Sequence, residues 1–262
     1  MPPMGHHRRV TAHRPTTTTL RSADGLDLVV DHYPGPDDRP PVLLVHGLGS
    51  DSHTNWLQAG WVRALRAGGR AIVAPDLRGH GRSGHPHDPS AYTVPAMVGD
   101  LRLVLAEIGA VGFDGVGYSL GARLLMTLAG DGAPLRRLVI GGSAGQPQLQ
   151  GLDLRAIDLA VAGGPFPADP ESARVARVAT SLPSSDHRAL AALIRGLAVD
   201  PATARPSPPP QMPTLVAVGD RDQLHDQARI WAARLPEATF LTIPGRTHVS
   251  ACLLYTSPSP RD

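Results

Sequence analysis

Lysine is absent from this 262-residue chain, and all 25 basic residues are arginine. A GC-rich coding sequence produces that bias without any functional demand. Against 23 acidic residues the formal charge is only +2, so the composition calls for neither nucleic acid nor an acidic membrane surface. Cysteine is nearly absent as well. Cys252 is the one thiol, which excludes a disulfide framework. Aromatic residues make up 4% and charged residues 18%. No apolar run approaches the length that crosses a bilayer. Residues 1–15 are rich in His and Arg but lack an apolar core and a cleavage site. They are read as a solvated tail rather than a signal peptide. A cytoplasmic protein is the resulting expectation, with no membrane or nucleic-acid partner. The sequence leaves the oligomeric state open.

What is present is glycine, proline and apolar residues: 28 Gly, 27 Pro and 42% hydrophobic content. That is ample for one sizeable core. Residues 16–22 and 26–33 are β-rich runs separated by Asp24-Gly25, a hairpin signal. Residues 42–45 and 71–74 are continuous apolar runs, as expected of strands buried on both faces. A helix is predicted over 55–67, and another over 92–108 with Met97, Leu101, Val104 and Leu105 near helical spacing. Further strands are predicted at 113–118, 137–140, 214–218 and 239–243, with helices at 120–129 and 227–235. The alternation implies parallel βαβ units. Residues 143–205 break the rhythm, with short helical pieces near 173–179 and 186–197 and no clear strand. Sixty residues are too many for a simple loop, so this stretch is read as a helical lid inserted into the main domain. The organisation expected is a tail (1–15), the first part of the core (16–142), the lid (143–205), the second part of the core (206–251) and a tail of foreign origin (252–262). There is no internal repeat.

The segment around Ser119 carries the chemistry. Gly117-Tyr118-Ser119-Leu120-Gly121 follows a strand-like run and opens a helical pattern, the context of a nucleophile on a sharp strand-to-helix turn. Side chains at 117 and 121 would collide on such a turn. A second match, Gly141-Gly142-Ser143-Ala144-Gly145, follows a strand but runs into Gln146-Pro147 with no helical repeat. Ser143 is therefore read as the end of a strand. His248, and an acid at Asp220 or Asp222, lie just past the ends of later predicted strands. Strand ends in an open parallel sheet gather at one edge, so three distant segments can meet. A serine hydroxyl needs a base, His248 can serve, and a carboxylate orients the imidazole. The backbone N–H groups of Leu48 and Leu120 are the candidate donors to an oxyanion. No cofactor or metal is needed for this chemistry.

Five signatures in order, His46-Gly47-Leu48-Gly49, Asp76-Leu77-Arg78-Gly79-His80-Gly81-Arg82-Ser83, the Ser119 segment, Gly219-Asp220-Arg221-Asp222 and Pro244-Gly245-Arg246-Thr247-His248, resemble the α/β-hydrolase superfamily, close to its small lidded esterases. The resemblance implies a mostly parallel sheet of about eight strands with flanking helices, and it selects Asp222 as the acid with Asp220 as the fallback. It implies a serine hydrolase acting on a small-molecule carboxylic ester through an acyl-enzyme. Thioesterase, lactonase, C–C hydrolase and perhydrolase activities use the same triad, and a non-catalytic binding protein is the alternative of a different class. His46 is read as shaping the oxyanion loop. His80 and Asp76 are read as fixing the loop after their strand. Arg78 and Arg82 are read as surface residues that could contact an anion. His85 and His87 are not read as metal ligands, and Trp56 and Trp61 are assigned to packing. Two departures from the family stand out. Arg246 replaces a commonly small residue, and no helix follows His248. Residues 252–262 resemble a translated sequencing adapter, so the natural chain is expected to continue past Ala251 and to be more stable with a native C-terminal helix.

Overall fold

The computed structural model describes residues 14–36, 39–147 and 149–252. The predicted tail lies almost wholly outside the described residues, as do 253–262. Eight strands form one sheet in the order β1-β2-β4-β3-β5-β6-β7-β8. The strands are β1 Thr16–Arg21, β2 Asp27–Tyr33, β3 Val42–Val45, β4 Ile72–Pro75, β5 Phe113–Tyr118, β6 Leu135–Gly141, β7 Thr214–Gly219 and β8 Ala238–Ile243. The pairs β1–β2 and β2–β4 are antiparallel and every later pair is parallel. The Asp24-Gly25 turn joins β1 to β2, with Gly25 at φ 81°. β3 and β4 are buried at every position, as their unbroken apolar runs require.

Helices cover both faces. α1 (Trp61–Ala67) packs on one, with Leu44, Trp56, Val62 and Val116 at its core. α2 (Val94–Glu107) and α3 (Leu120–Gly130) pack on the other, around Leu43, Leu101, Leu124 and Val218. Each fully buried leucine there contributes about 1.5–3 kcal/mol. α2 starts at Val94 rather than 92 because the Thr93 side chain accepts from the Ala96 N–H and caps it. The single helix predicted over 55–67 is two pieces. A short π-helix runs from His53 to Gln58, and Gly60 at φ 86° breaks the chain before α1. A left-handed residue cannot continue a right-handed helix.

Between β6 and β7 run α4 (Leu154–Val161), α5 (Pro170–Ala179) and α6 (His187–Val199). They enclose a separate small core of Ile157, Val175, Leu190 and Ile194. Asp153, Asp169 and Asp186 cap their N-termini through side-chain oxygens. α4 is a further short helix beyond the two pieces expected from the sequence. α7 (His225–Ala232) packs on β7 and β8. Leu241 on edge strand β8 is 48% exposed. Among the described residues no helix is long and apolar enough to cross a membrane.

Candidate active site

Ser119 sits between β5 and α3 at φ 51°, ψ −110°. That region is unfavourable for a residue with a side chain, and such strain persists only where the surroundings enforce it. Two bonds do so: Ser119 N–H to the Gly141 carbonyl (2.8 Å), and Arg123 N–H to the Ser119 carbonyl (3.2 Å). The flanking glycines are sterically obligatory. A Cβ on Gly117 would lie 2.6 Å from the Ala122 backbone, and one on Gly121 would lie 2.1 Å from the Val45 carbonyl oxygen.

The second Gly-x-Ser-x-Gly has a different origin. A Cβ on Gly141 would strike the Tyr118 ring at 2.5 Å, and one on Gly145 would strike the Trp231 indole at 2.4 Å. Those glycines make room for aromatic side chains. Ser143 is buried at the end of β6, and its Oγ has no hydrogen-bond partner among the described residues.

The structure brings Ser119, His248 and Asp222 together from three loops. His248 Nε2 lies 3.1 Å from Ser119 Oγ, and His248 Nδ1 lies 2.8 Å from Asp222 Oδ2. The Asp222 side chain is fully buried. Burial alone pushes its carboxyl up. The hydrogen bond and charge of His248, the Leu224 N–H at 3.0 Å and the charge of Arg174 outweigh that and hold it below the usual carboxylate value. With Asp222 ionised, Nδ1 carries the proton and Nε2 faces the serine as an acceptor. Asp220 is exposed, and its N–H is bonded to the Ile243 carbonyl at 3.2 Å. Its place is in the turn, away from His248. Arg246 acts here through its backbone. Its carbonyl accepts from the Arg221 N–H at 2.9 Å, and a Cβ on Gly219 would stand 2.1 Å from that oxygen. The acid loop and the histidine loop are thus laid directly on each other.

Leu48 and Leu120 both border the cavity at Ser119, and neither backbone N–H has an acceptor among the described residues. The loop that carries Leu48 is fixed from below by two buried imidazoles. His46 Nε2 accepts from the Leu77 N–H (3.0 Å) while its Nδ1 donates to the Gly47 carbonyl (2.9 Å). His80 Nε2 accepts from the Gly49 N–H (3.1 Å) while its Nδ1 donates to the Arg78 carbonyl (3.0 Å). Both acceptor roles need neutral rings. Burial keeps them so, lowering His46 and taking His80 down to about 3. Asp76 accepts from the Ser52 N–H (2.9 Å) and from Arg82 Nε (2.8 Å).

Arg78 corrects the sequence expectation, whereas Arg82 is on the surface as expected. Arg78 is buried and held by Asp100 and Asp24 at 2.7 and 2.8 Å, while Arg82 is held by Asp76 and Asp31. Arg78 is not available to a ligand, and the Arg82 guanidinium is committed to its two carboxylates. His87 pairs with Asp186 at 2.9 Å, and the described residues contain no cluster of three or more metal-ligating side chains. Trp56 and Trp61 pack edge to face, with ring centroids 5.9 Å apart.

Two cavities meet at Ser119 and His248. One of about 430 Å³ is bordered by Leu120, Leu149, Val175 and Leu197, with Glu171, Arg174 and Gln223 among its polar groups. The other, of about 210 Å³, lies toward Gly47, Asn55, Leu182 and Val249. α5 rests on the Leu48 loop so closely that a Cβ on Gly49 would lie 2.2 Å from the Val178 carbonyl oxygen. The sequence carried no sign of that contact, or of the Glu171–Arg174 pair beside the site.

The profile of the alpha/beta hydrolase family matches residues 42–260, and the chain belongs to that family. It is 34% identical over 118 residues to the sn-1-specific diacylglycerol lipase ABHD11 of Xenopus laevis. The match takes in 45% of this chain and 36% of that protein, so the matched stretch spans about a third of the curated relative. Among solved structures, the bottromycin epimerase BotH superposes with a TM-score of 0.72 at 22% identity, covering 91% of this chain and 94% of that one. A thermophilic esterase from Thermogutta terrifontis superposes with a TM-score of 0.69 at 21% identity, covering 90% and 93%. Likeness at that identity establishes the fold, and the fold hosts more than one chemistry.

Proposed function

We propose that this member of the alpha/beta hydrolase family is a serine hydrolase that cleaves a small carboxylic ester through an acyl-enzyme. The observation that carries the reading is the continuous chain Ser119 Oγ–His248 Nε2–His248 Nδ1–Asp222 Oδ2, with links of 3.1 and 2.8 Å. Ser119 Oγ attacks the ester carbonyl carbon as its proton passes to His248 Nε2. The tetrahedral oxyanion is held by the N–H groups of Leu48 and Leu120, each such donor being worth about 3–4 kcal/mol in the transition state. Collapse expels the alcohol, which takes the proton from His248. Water then repeats the sequence on the acyl-serine and regenerates the enzyme.

In this reading residues 143–205 are a lid. The support is the cavity of about 430 Å³ walled on one side by α5 and α6 and on the other by the Ser119 turn. Substrate choice then rests with Val175, Leu197 and their neighbours rather than with the triad. The experiment is active-site labelling with a fluorophosphonate, paired with p-nitrophenyl esters of graded acyl length. The expected result is one label on Ser119, and loss of both labelling and turnover in Ser119→Ala. An unlabelled, folded wild-type protein overturns the reading. Turnover retained in Ser119→Ala does so equally.

A further inference from the structure

Beyond His248 the site continues outward as a groove of about 360 Å³ between α5 and the loops that carry Asp222 and His248. Arg174 and Arg177 line it from α5, and Arg221 lines it from the acid loop. These guanidiniums are not equivalent. Arg174 is committed to Glu171, whose carboxylate also accepts from Gln223 Nε2 at 2.9 Å. Arg177 and Arg221 are exposed and pair with no carboxylate among the described residues. The Arg177 guanidinium stands 5.6 Å from the centroid of the Phe166 ring, a contact that positions the side chain and leaves its N–H donors free. The one carboxylate in the lining is Asp222, and it is buried and taken by His248. The open charge of the groove is therefore positive, and it comes from two planar forks suited to anionic oxygens.

The groove reaches His248 but not Ser119. On the acyl-enzyme reading, on which this inference rests, the group that His248 protonates is the leaving group. A tail entering the groove belongs to that group and not to the acyl chain. We propose that the groove is an anion subsite for the leaving group, and that the substrate is an ester or thioester whose departing alcohol or thiol carries a phosphate. Two uncommitted guanidiniums match the two charges of a phosphate monoester. Their exposure lets them draw it in from solution, an attraction that added salt screens.

The test compares substrates that share acyl group and reacting bond and differ in the phosphate. One pair is 1-butyrylglycerol 3-phosphate against 1-butyrylglycerol. The other is butyryl-coenzyme A against butyryl-N-acetylcysteamine. At low ionic strength kcat/KM favours the phosphate member of at least one pair by about tenfold or more, and the pair that responds identifies the source of the phosphate. The ratio falls as salt is raised, and it falls at least about fivefold in the Arg177→Gln/Arg221→Gln variant. Ratios near one in both pairs overturn the proposal, as does a ratio that survives intact in the folded double variant. Absence of fluorophosphonate labelling overturns the acyl-enzyme reading itself, whereas labelling without a phosphate preference overturns this inference alone.

Discussion

The hydroxyl of Tyr118 donates to the backbone carbonyl of His248. The residue before the nucleophile thus holds the residue that must take the nucleophile's proton. The two rings lie 5.7 Å apart between centroids. Gly141 and Gly142 have no side chains where the Tyr118 ring passes, and Tyr118 is itself 7% exposed. Burial raises its hydroxyl pKa well above the ordinary value, so it stays a donor. Tyr118→Phe keeps the ring and removes only this bond. The expected result is a fall in kcat of about ten- to a hundredfold with KM within about twofold, because small misplacements of a base cost that much. The rate of fluorophosphonate labelling falls in parallel. Unchanged labelling would show that His248 is held by other contacts.

Asp222 and Asp220 separate cleanly by substitution. Asp222→Asn loses the carboxylate that sets the tautomer of His248, and kcat falls by about four orders of magnitude. Asp220→Asn changes an exposed turn and leaves kcat/KM within about twofold. Steady-state rates on one p-nitrophenyl ester decide between them.

Arg78 supports the fold and not the substrate. Arg78→Met leaves Asp100 buried with no counter-ion, and removing one partner of such a pair destabilises by about 3–5 kcal/mol. Urea unfolding measures the loss. KM in the variant that remains folded stays at the wild-type value, because Arg78 is turned toward Asp24 and Asp100. A raised KM would return it to the binding site.

The buried imidazoles make stability depend on pH in one direction. His80 is held near 3 in the folded protein against 6.5 for a free imidazole. Below 6.5 the unfolded chain takes up a proton that the folded chain refuses. Unfolding is therefore favoured as pH falls, by about 1.4 kcal/mol per unit for this one group, until about pH 3. Above 6.5 the group contributes no pH dependence. His46 is shifted in the same sense. Urea titrations at pH 7 and pH 5 are expected to show a loss of about 2 kcal/mol from His80, and a smaller total loss in His80→Gln. Equal losses in the two proteins would contradict the assignment.

Much of the frame was legible because parallel strands buried on both faces must be apolar throughout. Residues 42–45 and 71–74 announce themselves that way, and β3 matches its run residue for residue. Glycine was legible where it had one purpose, as at Gly117 and Gly121. Its pattern alone was ambiguous where the purpose was remote, and the missing helical repeat after Gly145 resolved it. Gly141 and Gly145 imitate a nucleophile turn because two aromatic rings pass beside them. Arg78 misled because its partners are remote in the chain. Arg78 resembles a surface cation until Asp24 and Asp100 arrive from 54 positions before it and 22 after it.

By itself the sequence determined which local conformations were available: the strand-turn-helix at Ser119, the periods that form each element, and the reactive side chains at strand ends. Those depend on neighbours a few positions apart. The tertiary structure decided which groups meet. His248 reaches Ser119 across 129 positions, Val178 settles onto Gly49, and Arg177 and Arg221 come to face one groove. Such contacts follow from how the sheet stacks its strand ends and how α5 seats against them, and no spacing along the chain encodes the distance between them.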